Sequence, residues 1–216
     1  MKKGVIFDLD GTLINSLPDI AAAMNRALEK SGLPGYAEEA YKYKVGNGVL
    51  RLAQRAVGEH TECYQAVLDA YRADYALHCR VASQPYKGVP EMLEGLIRRG
   101  LKVCVLSNKD QADVESVVSY YFPTINFSAV LGRAEGTPLK PAPDGALRIA
   151  RELGLAPQDF WYVGDTGTDM RCGNAAGMAT VGVLWGFRTR EELAANGAGQ
   201  LIDDPFALLT LADAYS

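Results

Sequence analysis

Five short apolar runs, at residues 5–7, 103–106, 127–131, 160–163 and 179–183, alternate with longer stretches in which apolar residues recur every three or four positions. A run that is apolar at every position suits a strand covered on both faces, and the slower rhythm between the runs suits helices. Strands alternating with helices admit few architectures. The chain must build a parallel sheet with right-handed crossovers and helices on its faces. Start and stop signals agree with that reading. Gly100 closes "PEMLEGLIRRG", Asp110 opens "DQADVESVVSYYF" and Gly154 closes "PDGALRIARELG".

The interval from Ile14 to Gln84 breaks the rhythm. Ser16 and Asp19 have the spacing of a capping box, and the helix they would open, "DIAAAMNRALEKSG", ends at Gly32. Two more helical patterns follow, "GVLRLAQRAVGE" and "TECYQAVLDAYRADYALHC". The second carries Tyr64, Leu68, Tyr71 and Tyr75 at helical spacing, which reads as a packing stripe. A helical insertion after the first strand lies beside the ligand crevice of a parallel sheet. It reads as a cap over residues 15–84, with residues 1–14 and 85–216 forming the core.

Composition narrows the partners. With 216 residues, 48% of them hydrophobic, the chain can bury one large core or two unequal ones. A net charge of -4 with intermingled signs argues against nucleic acid. No apolar stretch approaches the roughly 18 residues of a membrane span, and "MKKGVIFD" lacks the apolar length of a secretory signal, so a cytoplasmic location is expected. Cys63, Cys79, Cys104 and Cys172 are far apart, and the only histidines are His60 and His78. A structural zinc site or a disulfide framework is not expected.

Three of the strand runs end in polar residues: Asp8 and Asp10 in "VIFDLDGTL", Ser107, Asn108 and Lys109 in "VLSNK", and Asp165, Thr166 and Asp169 in "VGDTGTD". Lys140 stands in "LKPAP" between the last two. The carboxyl ends of parallel strands open onto one crevice, so these side chains are expected to converge. Four acids together need a cation, and all-oxygen ligation with positions left for water suits Mg²⁺. Such an ion, with a lysine and hydroxyl donors, is what a phosphoryl group in transfer requires. Asp8 could then act as nucleophile and Asp10 as proton donor and acceptor. Gly11 would permit a sharp turn or a close approach to phosphate, and Thr12 would offer a hydroxyl.

In that order, "DLDGTL", "LSNK", "KPAP" and "GDTGTD" closely resemble the four motifs of the haloacid dehalogenase-like hydrolases, and specifically the phosphatases among them. The resemblance covers nearly the whole chain. It implies an α/β fold with a Rossmann-like parallel sheet core and an inserted α-helical cap. It also implies roles. Asp8 is nucleophile and metal ligand; Asp10 is general acid/base, its carbonyl on the metal. Ser107 bonds the phosphoryl oxygens, Lys140 holds the phosphoryl group, and Asp165 is a metal ligand. Asp169 is either a ligand or an acid behind the ligands, or it caps the helix "MRCGNAAG".

"VGNG", "NSLPDIAAAMNRALEKSGLP" and "QPYKGV" further resemble phosphoglycolate phosphatases. Thr166, where serine is common, and Lys87, where proline is common, depart from that pattern. The implied substrate is a small phosphorylated metabolite such as 2-phosphoglycolate. Thr12 and Asn108 are candidate substrate contacts, although Asn108 could instead serve its turn. The amides of Gly46, Asn47 and Gly48, at the start of a cap helix, are candidates for holding a substrate carboxylate, with Lys44 or Arg51 adding charge. "GNG" could equally be a plain turn. A sugar phosphate or pyrophosphate is the alternative substrate, and a phospho-accepting or binding domain the non-enzyme alternative. A receiver domain would have no cap and no purpose for Asp10. The chain is expected to be a monomer or homodimer.

Overall fold

The computed structural model describes residues 1–214; the last two residues of the expected core lie outside it. The chain starts with β1 (Gly4–Phe7) and β2 (Ile14–Asn15) and leaves the sheet for α1 (Leu17–Lys30), α2 (Val49–Val57) and α3 (Tyr64–His78). It returns through β3 (Gln84–Pro85) and alternates from there: α4 (Val89–Arg98), β4 (Lys102–Asp110), α5 (Gln111–Tyr121), β5 (Ala129–Arg133), α6 (Asp144–Glu152), β6 (Phe160–Gly164), α7 (Gly167–Ala175), β7 (Ala179–Val183), α8 (Arg190–Ala195), β8 (Gln200–Ile202) and α9 (Ala207–Ala214).

Six strands form one parallel sheet in the order β5-β4-β1-β6-β7-β8. The order reverses at β1, because the chain adds β4 and β5 on one side and β6, β7 and β8 on the other. Ligands bind at the carboxyl ends of the strands at such a reversal, and β1 ends immediately before Asp8. All four β1 residues are buried, and successive side chains enter opposite layers. Val5 and Phe7 join the larger core with Val105 and Val163, while Ile6 joins Cys104, Tyr162 and α6. Two-sided burial is why the strand sequences are continuously apolar.

The larger apolar core runs without a break into the inserted helices, through Met24, Leu52, Leu68, Tyr71 and Tyr75. The chain crosses into this insertion and out of it side by side, as β2 and β3 pair antiparallel through Ile14 with Pro85 and Asn15 with Gln84. Asp19 fastens the exit. Its carboxylate accepts the amides of Val81, Ala82 and Ser83 and the Ser83 hydroxyl, at 2.6–3.0 Å. The expected Ser16–Asp19 capping box is therefore absent: Ser16 is the N-cap of α1 but makes no side-chain cap bond. A carboxylate that can collect four donors from a neighbouring segment gains more than one capping bond would provide.

Strand β8 and helices α8 and α9 went unread in the sequence. The strand has 3 residues and the helices 6 and 8, too few turns for a helical period to stand out. No described helix is long and apolar enough to cross a membrane.

Candidate active site

The sheet brings Asp8, Ser107, Lys140, Asp165 and Asp169 together, each 6% exposed or less. Asp8 follows β1 directly, and its amide donates to Val163 O of β6 at 2.9 Å. The Lys140 ammonium lies 2.8 Å from Asp8 Oδ1 and 2.8 Å from Asp169 Oδ1, and donates also to Leu106 O at 3.0 Å. Burial alone would lower this lysine, but Asp169 and Asp8 outweigh it and hold it well above the usual range. The ammonium is thus fixed between two carboxylates.

Asp165 leaves β6 and turns to β1. One oxygen accepts the Thr12 hydroxyl at 3.1 Å, the other the Phe187 amide at 2.8 Å. Two glycines make room for it. A Cβ on Gly11, whose φ is +87°, would stand less than 3 Å from all three atoms of the Asp165 carboxyl group, and one on Gly186 would collide with Asp165 and with Gly11 O. The close approach that Gly11 permits in the structure is to Asp165. Thr12 likewise directs its hydroxyl to Asp165.

Asp169 does not cap α7. Thr166 is the N-cap, and Asp169 is its partner three residues on: each side chain takes the other's backbone amide, and the Thr166 hydroxyl adds a bond of 2.6 Å to Asp169 Oδ2. Both Asp169 oxygens are occupied, one by Thr166 and one by Lys140.

Asp8, Asp165 and Asp169 each present a carboxylate oxygen within 4.8 Å of the others, all buried. Burial first, and then Asp169 beside it, pushes Asp165 up to about 7. The same two causes raise Asp8 well above the carboxylate range, with Lys140 opposing. Desolvated acids raised by one another are the electrostatic condition that a divalent cation relieves, and an all-oxygen donor set fits Mg²⁺.

Asp10 sits apart from this cluster. Its carboxylate accepts the Ser16 hydroxyl at 2.5 Å and the Lys109 ammonium at 2.7 and 2.9 Å. Ser107 Oγ takes the Lys109 amide at 3.2 Å and faces the same cavity as Asp8 and Asp10.

The model of the haloacid dehalogenase-like hydrolases matches residues 5–183. The chain belongs to that family. It is 32% identical over 216 residues to a phosphoglycolate phosphatase of Pseudomonas putida, covering 95% of this chain and 78% of the relative. It is 30% identical over 218 residues to an N-acetylmuramic acid 6-phosphate phosphatase of Pseudomonas aeruginosa, covering 98% and 95%. Among solved structures, a Lactobacillus delbrueckii protein provisionally described as a phosphoglycolate phosphatase superposes with a TM-score of 0.92 at 28% identity, over 98% of both chains. This haloacid dehalogenase-like hydrolase is a phosphoric monoester hydrolase of the phosphoglycolate phosphatase-like group.

In this phosphatase the inserted helices cover the site. Ile20, Val45, Gly46, Gly48, Val49, Leu52 and Tyr71 face Asp8 and Asp10 across the cavity. Gly48 is the N-cap of α2, with φ +81°, and a Cβ there would lie 3.1 Å from Asn108 O. Asn108 is a junction. Its amide group donates to Gly46 O at 3.0 Å and Lys140 O at 3.1 Å, and its oxygen accepts the Lys140 amide at 2.9 Å. Both ends of the side chain thus bind protein, across to the loop at Gly46 and to Lys140 rather than within its own turn. Asn47 points elsewhere, to Thr168 and Arg55. Lys44 and Arg51, the charges expected beside the loop, do not line the Asp8–Asp10 cavity.

Two cationic residues carry contacts that the sequence reading left without a role. Arg188 reaches from the core to the carbonyls of Lys42 and Val45 in the inserted segment. No local pattern announces a side chain that spans two segments far apart in sequence. Lys109 had a signal, because it directly follows the "SN" of the second motif.

Proposed function

We propose that the chain hydrolyses a small phosphate monoester through a phosphoryl group carried on Asp8, with Mg²⁺ as cofactor and 2-phosphoglycolate as substrate. The observation that carries this reading is the fixed Lys140 ammonium, held within ion-pair distance of both Asp8 and Asp169 beside Asp165. Asp8 would hold the ion together with Asp165 and the Asp10 carbonyl, with Asp169 bracing Lys140 and Thr166. When bound, Mg²⁺ supplies charge neutralisation at the phosphoryl oxygens.

The residues then divide the work. A carboxylate oxygen of Asp8 attacks phosphorus in line with the departing alcohol, forming the acyl phosphate as the ester P–O bond breaks. Lys140 and the Ser107 hydroxyl bind the non-bridging oxygens. Asp10 gives a proton to the leaving alkoxide, then takes one from the water that cleaves the acyl phosphate and restores Asp8. Residues 15–84 act as a cap over the core of 1–14 and 85–216, excluding water during the first step and opening for exchange.

The choice of 2-phosphoglycolate rests on the relatives that carry that name and on the shape of the cavity. Its cap side is mostly apolar, closed by Val49, Leu52 and Tyr71, and leaves the start of α2 and the Lys109 ammonium to greet an anion. The first amides of α2 precede its first intrahelical bond, from Leu52 N to Gly48 O. A sugar phosphate is the second reading, supported by the N-acetylmuramic acid 6-phosphate phosphatase relative. A panel of phosphate monoesters assayed with Mg²⁺ decides between them: kcat/KM should be highest for 2-phosphoglycolate, and a higher value for a sugar phosphate would replace it. Asp10→Asn tests the acid. It should slow alkyl esters far more than an activated aryl phosphate in the phosphorylation step, and an equal loss on both would remove Asp10 from proton transfer.

A further inference from the structure

Two lysines meet aspartates at this site, and they differ in what surrounds them. Lys140 is enclosed by Asp8, Asp169 and Leu106 O beneath the phosphoryl position. Lys109 lies on the cap side. Its side chain is 8% exposed and its ammonium stands 4.8 Å above the Tyr75 ring of α3. It is the one cation lining the cavity that holds Asp8 and Asp10, among the described residues, and it faces the start of α2 there.

Its ammonium is bound to Asp10. With Lys109 on both oxygens and Ser16 on one, the Asp10 carboxylate is turned toward the ammonium and held there. An acid gripped by an ammonium on both oxygens is not directed at a leaving oxygen. Before Asp10 can act, something must take its place at Lys109. Asp110 and Asp113 line the same wall, but Asp110 is already paired with Arg133 and Arg72. Asp113 sits one turn further along, on α5.

We propose that Lys109 exchanges partners during turnover. An anionic group on the leaving-alcohol side of the substrate takes the ammonium, and Asp10 is released to serve the leaving oxygen. Lys109 is then a specificity-determining residue that acts through Asp10. A substrate lacking that anion binds its phosphate normally and still leaves Asp10 tied, so discrimination is expressed in kcat as well as in KM. This rests on the acid role given to Asp10 above. It adds a requirement that the role alone does not impose: the substrate must carry a second negative charge.

The test uses the wild-type chain with Mg²⁺ first. 2-Phosphoglycolate should exceed 2-hydroxyethyl phosphate, its analogue without the carboxylate, in kcat by tenfold or more. Acetate added to a methyl phosphate assay should raise kcat several-fold, because the free carboxylate can occupy Lys109. Lys109→Met should then lower kcat/KM for phosphoglycolate at least a hundredfold, and raise kcat for hydroxyethyl phosphate, since Asp10 no longer has that ammonium to hold it. A merely structural lysine would lower both substrates alike. An equal loss on both, or equal wild-type kcat values with acetate only inhibiting, overturns the exchange while the phosphatase reading stands. If Lys109→Met does not fold, the acetate response of the wild type decides alone. Absence of hydrolysis of every ester would overturn both readings.

Discussion

The floor of the site and its roof are built on different principles. The floor is made by strand ends. Asp8, Ser107 and Asp165 sit where β1, β4 and β6 deliver them, and the buried contacts among Asp8, Asp165, Asp169, Thr12 and Lys140 hold them there. The roof is made by reaching side chains. Asn108 on Gly46 O, Arg188 on Lys42 O and Val45 O, and Lys109 under Tyr75 tie it down at the rim of the cavity, while its apolar side chains continue the core behind. A floor of this kind is pre-organised for one chemistry. A roof of this kind is the part of the site that the proposed gating would move.

The largest effect is expected where the floor supplies the reacting atom. Asp8→Asn should reduce turnover by ~10⁴-fold or more, as loss of a nucleophile does in other hydrolases. It should remain folded by circular dichroism, because the change is nearly isosteric and removes one of the mutually repelling acids. A variant that retained full turnover would break the division at its base.

Lys140→Met comes next. It leaves Asp8, Asp165 and Asp169 buried without their counter-ion, which should cost roughly 3–5 kcal/mol of stability in metal-free protein at neutral pH. Thermal melts should show Mg²⁺ recovering much of that loss, whereas turnover should stay depressed. A small shift in the melt would mean that the three acids do not repel as their geometry requires.

The carboxylates and Ser107 were legible before the structure because strand ends put sequence neighbours in predictable places, whereas Lys140, outside any strand, was legible only through "KPAP". A polar residue after a buried strand has one crevice to enter, so "DLD", "LSNK" and "GDTGTD" could be assembled from topology alone. Asp19, Arg188 and Gly186 could not. Asp19 has ideal capping spacing, and only the tertiary fold offers it the better donors of residues 81–83. Gly186 matters because Asp165 lies against it, which no spacing announces. Asp169 lay between: its role required knowing that Thr166, not Asp169, begins α7.

A third expectation concerns pH. Burial and then Asp169 push the Asp165 carboxyl up to about 7 in the folded protein, from the ordinary carboxylate value of the unfolded chain. A raised folded value means that stability is fullest at acidic pH and declines as pH climbs from about 4 toward 7. Melts in EDTA should therefore fall in Tm over that window by the equivalent of a few kcal/mol. Mg²⁺ should flatten the decline by giving the ionised carboxylates a partner. A metal-free Tm that rose with pH through this range would contradict the proposed floor electrostatics.

The smallest effect belongs to the roof's glycine loop. Gly48→Val forces a β-branched residue into φ +81° with its Cβ 3.1 Å from Asn108 O. It should lift the α2 loop off the core and raise KM for phosphoglycolate about tenfold, at about 1–3 kcal/mol of strain. The rate on a small activated aryl phosphate, which needs little of the roof, should change little. Equal damage to both would mean that the loop supports the floor as well.

The central claim is that the floor carries the phosphoryl group on Asp8. Rapid quench of the Mg²⁺ enzyme with radiolabelled phosphate ester, followed by peptide mapping, tests it directly. Label should appear on the peptide containing Asp8 within one turnover, chase away with unlabelled substrate, and be absent from Asp8→Asn. Full turnover with no label on protein at any time, or label on a different residue, would contradict the account.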